Sequence, residues 1–160
     1  MTIRIGNGFD AHRFKQGGEL ILGGVAIPHH SGVEAHSDGD VVLHALCDSI
    51  LGALAKGDIG QHFPDNADQY SGIDSRILLR QVYKILSDEN YTIGNVDITI
   101  IAQAPKLASF VDQMCDYIAQ DLHAEKSSVS VKATTTEKMG FTGREEGIAV
   151  MSSVLIKLKD

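Results

Sequence analysis

The chain has 160 residues, is 43% hydrophobic and carries a formal net charge of −7. This size predicts a single domain over residues 1–160, and the acidic balance argues against a protein that binds nucleic acid through its phosphates. No stretch is long and apolar enough to cross a membrane, and the N-terminal residues lack a signal-peptide pattern. Cys47 and Cys115 form no CxxC pair, which favours reduced thiols. We therefore expect a cytoplasmic protein that binds neither nucleic acid nor membrane.

The first predicted element is a strand over residues 2–11, which ends beside an acid and a histidine. Asp10 and His12 are two residues apart, so on a strand their side chains point to the same side. A D-x-H pair alone is more often a chance surface pair than a metal site. Residues 19–28 then predict a short hairpin that turns at its central glycine pair.

A helix is predicted to begin within the segment from His36 to Asp48. Asp38 or Asp40 can serve as its N-cap, because a short carboxylate side chain satisfies the free amides of a first turn. Apolar residues recur at helical spacing after these acids. Gly57 is predicted to be the C-cap of this helix.

The same helix carries a candidate metal ligand, His44. Asp48 lies one turn later, so its carboxylate is predicted to orient the imidazole. Together with Asp10 and His12, His44 completes an Asp-His-His set that suits tetrahedral zinc with one position open for water or substrate. The alternative is a solvated helix face with a surface histidine. Cys47 is interpreted as a core residue rather than a fourth ligand.

The remaining elements predict one mixed sheet with helices packed on one face. Residues 56–65 are either a connecting loop or a binding loop in which Asp58 and Asp65 accept hydrogen bonds from hydroxyl groups, and both interpretations stay open. A helix, a strand, a second helix and two strands are then predicted over residues 74–90, 92–103, 105–122, 127–135 and 147–157.

A second polar cluster lies between the last two predicted strands, over residues 134–147. Its threonines offer hydroxyl groups, Lys138 and Arg144 offer positive charge, and Glu137 offers the hard oxygen ligand that Mg²⁺ prefers. Its glycines permit close backbone approach. In an acidic chain this segment is the best candidate for a phosphate site, although an ordinary polar loop has the same composition.

Four of these stretches together closely resemble the 2-C-methyl-D-erythritol 2,4-cyclodiphosphate synthase family of the non-mevalonate isoprenoid pathway. They are residues 36–48, 57–60, 102–106 and 134–147. The resemblance covers the whole chain and implies an α+β fold with a mixed four-stranded β-sheet and helices on one face, assembled as a homotrimer with active sites between subunits. Apolar residues on both faces of the strands at 96–101 and 148–156 favour such an assembly independently, although a thick monomer core gives the same pattern.

The resemblance also implies a phosphorus–oxygen lyase reaction. In this family the 2-phosphate of 4-diphosphocytidyl-2-C-methyl-D-erythritol 2-phosphate attacks the β-phosphorus of the same molecule, which yields the cyclic diphosphate and CMP. By this resemblance, Asp10, His12 and His44 hold Zn²⁺. Glu137 binds Mg²⁺ or Mn²⁺ at the diphosphate.

The family resemblance assigns His36 and Thr135 a catalytic role, the stabilisation of the transition state. The expected substrate contacts are Asp10, His12, His36, Ser37, Asp58, Ile59, Gly60, Phe63, Pro64, Asp65, Asn66, Ala67, Ala102, Gln103, Ala104, Pro105, Lys106, Leu107, Ala108, Thr134, Thr135, Thr136, Glu137, Phe141 and Arg144. An isoprenoid diphosphate in the central cavity of the trimer, with Arg144 and Glu146 at its mouth, is a further expected partner. Two alternatives stay open, namely a zinc hydrolase with Asp58 as general base and a non-catalytic binding trimer.

Overall fold

A mixed β-sheet forms the centre of the molecule in the computed structural model, which describes residues 2–64 and 72–159. Within these residues the sheet has five strands in the order β4-β1-β7-β5-β6, with only the β5–β6 pair parallel. The strands of this sheet are β1 (Ile3–Gln16), β4 (Ser31–Val33), β5 (Tyr91–Ile101), β6 (Val129–Thr134) and β7 (Gly147–Leu158).

The prediction of four strands is wrong, because β1 continues past the residue at which the sequence pattern ends. From Ile3 to Arg13 β1 pairs with β7. Beyond Arg13 it has no β7 partner, and Phe14–Gln16 pair instead with the three-residue strand β4. A strand of three residues has no periodicity for a sequence pattern to detect.

The predicted hairpin is confirmed and forms a small sheet of its own. β2 (Leu20–Leu22) pairs with β3 (Val25–Ile27) across the turn at Gly23 and Gly24. Both glycines have positive φ, 59° and 78°, a conformation that side chains disfavour.

The three long helices match the predicted order but not every predicted boundary, and two short helices form in segments that were predicted as loops. They are α1 (Val41–Ala53), α2 (Ile59–His62), α3 (Ser75–Asp88), α4 (Val111–Asp121) and α5 (Gly140–Gly143). The predicted start of α4 at Pro105 is wrong. Residues 102–110 form turns instead, because the amide of Ala102 bonds to the carbonyl of Thr134 at 3.0 Å and Leu107 is buried in the core.

The predicted C-cap of α1 is also wrong. The helix ends at Ala53, and Ala55 adopts the left-handed conformation with φ 57°. The amide of Ala55 bonds to the carbonyl of Gly52, and the amide of Lys56 bonds to that of Leu51, which is the Schellman pattern. Gly57 follows in the next turn, so a glycine was not needed to end the helix.

The main helices cover one face of the sheet and leave the other open. α1 packs on β1 and β7, and α4 packs on β6. The largest buried side chains of this layer include Leu46, Ile50, Ile98, Ile100 and Ile118. On the opposite face Ile5 is 68% exposed and Phe9 is 60% exposed.

Two other predictions concern the cysteines and membrane-spanning segments. Cys47 and Cys115 are free, buried thiols. Among the described residues, no helix is long and apolar enough to span a bilayer.

Candidate active site

Two glycines of β1 let helix α1 approach the strand closely. A Cβ atom on Gly8 would lie 1.9 Å from the carbonyl oxygen of Ala45, and one on Gly6 would lie 1.9 Å from that of Ser49. Only a residue without a side chain fits at such a distance. This contact places the N-terminal half of α1, which carries His44, next to the residues that follow Gly8 on β1.

Asp10, His12 and His44 meet where α1 and β1 touch. The distance from His44 Nδ1 to Asp10 Oδ2 is 3.2 Å, that from His44 Nδ1 to His12 Nε2 is 3.3 Å, and that from His12 Nε2 to Asp10 Oδ2 is 3.5 Å. Ligands of a tetrahedral zinc ion lie about 3.3 Å apart at ordinary zinc–ligand bond lengths. The three atoms therefore have the donor chemistry and spacing of one face of a zinc coordination tetrahedron.

Each imidazole of this group has a partner on its other nitrogen. His12 Nδ1 lies 3.0 Å from the carbonyl oxygen of Ala11, which can only accept a hydrogen bond. His44 Nε2 lies 3.0 Å from Ser75 Oγ and 3.1 Å from Ser37 Oγ. Partners of this kind fix the orientation of metal-binding histidines.

The prediction that Asp48 orients His44 is wrong. Asp48 Oδ1 instead accepts a hydrogen bond of 2.8 Å from the amide of Ile59. Helical spacing placed the two residues on one face, but the free backbone donor at the start of α2 takes the carboxylate. Asp48 thus fastens α2 to α1, and burial raises its pKa.

The charge of Asp10 acts directly on His44. Burial of His44 lowers the pKa of its imidazole, but the hydrogen bond to Asp10 and the charges of Asp10, Asp40 and Asp38 raise it more, so the net pKa lies above the ordinary value. The surrounding carboxylates thus favour positive charge at this point. The same carboxylate charges would stabilise a bound divalent cation.

The two acids that precede α1 have different roles. Asp40 is fully buried and accepts hydrogen bonds from the first turn of α1, which confirms it as the N-cap. It also accepts from the amides of Gly23 and Gly24 at 2.9 and 2.6 Å. Burial raises the pKa of Asp40 to about 6, against the opposing effect of these amides. Asp38 instead binds the amide and hydroxyl of Ser75 at the start of α3.

A pocket of about 310 Å³ adjoins the candidate metal ligands, and we call it the metal-side pocket. The described residues that line it are Asp10, His12, Glu34, Ala35, His36, Ser37, His44, Asp48, Ile59, Gly60, Phe63, Ile73 and Leu78. Glu34, Ala35, Asp48, Ile73 and Leu78 were not predicted as contacts, because no local pattern marks a residue that reaches a pocket from another element.

Some predicted contacts near this pocket lie elsewhere. Asp58 is exposed, caps α2 through the amide of Gln61, and is absent from the described lining. Pro64 is exposed and is also absent from the described lining. The predicted contacts Asp65, Asn66 and Ala67 lie outside the described residues.

A larger pocket of about 620 Å³ lies at the ends of β5 and β6, and we call it the strand-end pocket. Its described lining comprises Ala102, Gln103, Pro105, Lys106, Leu107, Ala108, Val111, Lys132, Ala133, Thr134, Thr135 and Glu137. Ala104 and Thr136 sit beside it without being part of that lining. Val111, Lys132 and Ala133 were missed, although Lys132 precedes the threonines on the same strand.

Glu137 occupies an unusual backbone position in the strand-end pocket. Its φ is 51°, and its Oε1 accepts a hydrogen bond of 3.0 Å from the hydroxyl of Thr135. Among the described lining residues it is the one carboxylate. Phe141 and Arg144 are exposed outside this lining, and Arg144 pairs with Glu146 at 2.9 Å.

The structure separates the two predicted halves of the site within one chain. Ala11 on β1 and Thr134 on β6 lie in one row of the sheet with β7 and β5 between them. Three strand spacings are roughly 14 Å. The described linings of the metal-side pocket and the strand-end pocket share no residue. His36 and Ser37 therefore do not meet Thr135 and Glu137 in a single protomer.

Fold and site together define a mixed α+β protein with a candidate metal centre beside a pocket. The family model described as the YgbB family matches residues 3–157, and the chain belongs to this family. Its curated relatives carry the name 2-C-methyl-D-erythritol 2,4-cyclodiphosphate synthase, so the family resemblance is confirmed. The relative from Aliivibrio fischeri is 56% identical over 154 residues, which make up 96% of this chain and 98% of the relative.

Solved structures of relatives share the fold over nearly the whole chain. IspF of Plasmodium falciparum in complex with CDP superposes with a TM-score of 0.87 at 40% identity, covering 99% of this chain and 97% of that one. The bifunctional IspDF from Campylobacter jejuni gives a TM-score of 0.96 at 46% identity. In that case the match covers 99% of this chain and 43% of the longer bifunctional chain.

Proposed function

We propose that this protein converts 4-diphosphocytidyl-2-C-methyl-D-erythritol 2-phosphate into 2-C-methyl-D-erythritol 2,4-cyclodiphosphate and CMP, as a phosphorus–oxygen lyase of the cytoplasm. The observation that carries the proposal is the Asp10-His12-His44 group, whose ligand atoms have zinc-like spacing beside a pocket. The name shared by its close relatives supports the same reaction.

The proposed reaction needs no nucleophile from the protein. An oxygen of the substrate's 2-phosphate forms a bond to the β-phosphorus, and the bond from that phosphorus to the bridging oxygen of the α-phosphate breaks. The electron pair leaves with CMP. Catalysis of such a transfer depends on positioning and on neutralising charge.

Two cations fit the donors of this chain. Asp10, His12 and His44 would hold Zn²⁺, and Glu137 would contribute to an Mg²⁺ or Mn²⁺ site, because magnesium is usually bound by one or two carboxylates together with substrate phosphates. When bound, these ions neutralise phosphate oxygens. The protein itself supplies the fixed imidazoles and the carboxylate that Thr135 orients.

The metal-side pocket is proposed to hold the methylerythritol and its 2-phosphate. Ser37 and His36 line it and can donate hydrogen bonds to phosphate oxygens. Ile59, Gly60 and Phe63 also line it, and Asp58, which precedes them in the chain, is proposed as an acceptor for a hydroxyl of the substrate.

The strand-end pocket is proposed to hold the cytidine and the diphosphate. Lys106 supplies positive charge, whereas the nearby Lys132 already pairs with Asp97. Thr134 and Thr135 supply hydroxyl groups near Glu137. CDP, with which the Plasmodium falciparum relative forms its complex, has this nucleoside diphosphate chemistry.

A homotrimer is proposed because one chain holds the two pockets apart. The uncovered sheet face carries exposed Ile3, Ile5, Phe9 and Met151, and a symmetric assembly buries such a face. If the metal-side pocket of one protomer meets the strand-end pocket of its neighbour, both cation sites act on one substrate. An isoprenoid diphosphate in the central cavity is a further proposed ligand of this assembly.

One assay separates the proposed lyase from a zinc hydrolase and from a binding-only trimer. The purified protein is incubated with the cytidine-linked substrate and Mg²⁺, with and without a zinc chelator, and the products are resolved by ³¹P NMR. We expect CMP and cyclic diphosphate, both lost with the chelator. An uncyclised phosphate product contradicts the cyclisation, and no turnover favours binding alone.

A matched pair of histidine variants tests the metal centre in the same assay. We expect His44→Ala to lose bound zinc and product formation while its oligomeric mass is unchanged. His123→Ala removes an exposed imidazole beyond the end of α4 and should keep both properties. Full zinc content in purified His44→Ala, measured by mass spectrometry of the metal, would exclude His44 as a ligand.

A further inference from the structure

His44 is held between two different sets of partners. Its Nδ1 faces Asp10 and His12, at 3.2 and 3.3 Å. Its Nε2 faces the hydroxyl groups of Ser75 and Ser37, at 3.0 and 3.1 Å. A neutral imidazole has one nitrogen that donates a hydrogen bond and one that accepts. The serines at Nε2 and Asp10 at Nδ1 therefore compete for the imidazole proton, and a proton kept on Nε2 leaves the Nδ1 lone pair for a cation.

The single hydroxyl proton of Ser75 is already committed. Ser75 donates it to Asp38 Oδ1, and the amide of Ser75 donates to Asp38 Oδ2 at 3.0 Å. An ionised carboxylate only accepts hydrogen bonds. Since Ser75 has no second proton, its oxygen can only accept from His44 Nε2. Ser37 Oγ accepts from the amide of Gly39 at 3.1 Å and keeps a second lone pair, so it can also accept from His44 Nε2.

We propose that Ser75, held by Asp38, is a positioning residue that accepts the Nε2 proton of His44 and so favours the tautomer whose Nδ1 lone pair can bind a cation between Asp10 and His12. This inference rests on the proposed zinc site. It assigns a role to a residue that lies 31 positions from His44 in the chain, and it gives Asp38 a function besides joining the starts of α1 and α3.

A purely structural role for Ser75 makes different predictions. Ser75 is fully buried at the first position of α3, while Asp74 is the N-cap and accepts from the amide of Arg76. If Ser75 only anchored the helix, its loss would lower stability and leave zinc binding unchanged. If it positions His44, its loss weakens zinc binding beyond any change in stability.

The test uses Ser75→Ala with Ser49→Ala as its matched control. Ser49 is a fully buried serine on α1 whose hydroxyl bonds to the Leu46 carbonyl and to Ser152, away from the ligands. Zinc affinity is measured by competition with a chromogenic chelator, and unfolding of the zinc-free proteins by denaturant. We expect Ser75→Ala to weaken zinc binding by about 10–100-fold, and Ser49→Ala to leave it within about twofold of wild type.

A second variant tests the proton assignment itself. Asp38→Asn replaces one acceptor oxygen with an NH₂ group, so the side chain cannot accept from both the amide and the hydroxyl of Ser75. The hydroxyl proton is then free to point at His44 Nε2. In ¹⁵N-histidine spectra of the zinc-free proteins above the pKa of His44, we expect a larger Nδ1–H fraction of His44 in Asp38→Asn than in wild type.

The outcomes separate this inference from the proposed function. Wild-type zinc affinity in Ser75→Ala, or an unchanged His44 tautomer in Asp38→Asn, overturns the inference even if wild type forms the cyclic product. A wild-type protein that binds no zinc overturns both. Weaker zinc binding in Ser75→Ala, with no cyclic product from wild type, supports the positioning role and contradicts only the proposed reaction.

Discussion

At the residue scale, Asp40 illustrates how one side chain can join separate parts of a fold. The sequence predicted it as a helix cap, and it does cap α1 through the amides of Val42 and Leu43. It also accepts hydrogen bonds from the amides of Gly23 and Gly24 in the hairpin turn, a contact that no helical pattern predicts. The start of α1, and with it the position of His44, therefore depends on the turn between β2 and β3.

Replacing Asp40 by asparagine should destabilise the protein substantially. The NH₂ group of asparagine would face backbone N–H groups, which are also donors, and would leave buried N–H groups without an acceptor. We expect this to lower the free energy of unfolding by about 2–3 kcal/mol. Asp74→Asn is the control. Asp74 caps α3, and among the described contacts its side chain accepts a hydrogen bond only from an amide of its own helix.

Urea denaturation of both variants gives the measurement. We expect Asp74→Asn to remain within about 0.5 kcal/mol of wild type, since asparagine and aspartate are similar N-caps. Equal stabilities for the two variants would contradict the role assigned to the hairpin turn.

At the element scale, the contact between α1 and β1 creates the candidate metal centre. Sequence patterns predicted both elements but not the close contact between them. In the structure Gly6 and Gly8 touch the backbone of α1. The distance between helix and strand, and not the identity of the ligands, decides whether His44 reaches Asp10 and His12.

Gly8→Ala should therefore damage stability and metal binding together. The added Cβ would meet the Ala45 carbonyl, forcing α1 away from β1, and overpacking of this kind costs at least about 2 kcal/mol. Gly52→Ala is the control on the helix itself, because its Cβ would meet nothing closer than the Asn7 carbonyl at 3.8 Å.

Thermal unfolding and zinc titration compare the two glycine variants. We expect Gly52→Ala to gain about 0.5–1 kcal/mol through helix propensity and to keep wild-type zinc affinity. A Gly8→Ala protein with normal stability and normal zinc affinity would show that the close approach is not required.

At the scale of the whole molecule, the open sheet face and the separated pockets have a common explanation. A single chain leaves Ile5 and Phe9 largely exposed, and it holds Glu137 several strands from Asp10. Apolar faces of this kind are typical of surfaces that meet another protein. Assembly with two further copies would bury the face and bring unlike pockets together.

Shared sites predict complementation between two inactive variants. His12→Ala removes a metal ligand and Lys106→Ala removes the cation of the strand-end pocket, so each alone should be inactive. Coexpressed with different tags and purified through both, mixed trimers should contain one site with both residues intact. After purification through both tags every trimer is mixed, so about a third of the sites are restored.

Steady-state CMP release measures this recovery. Doubly tagged protein carrying Lys106→Ala on both chain types is the control and should stay inactive. Mixed trimers no more active than that control would contradict a site shared between subunits.

Local patterns in the sequence determined much of this protein. The types and spacing of Asp10, His12 and His44 were enough to predict a candidate metal centre, periodicity located α1 and α3, and a glycine pair located the hairpin. These features depend on side-chain direction along one element, which the sequence records directly. The family resemblance extended the same reasoning to the segments around residues 102–108 and 134–137.

Only the tertiary structure decided which neighbours these residues meet. It paired Asp48 with the amide of Ile59, placed Ser75 beside His44, paired β4 with the end of β1 and held the two pockets several strands apart. Each of these contacts joins residues from different elements. Such partners are chosen by packing and by competition among buried donors and acceptors, and no local pattern contains that information.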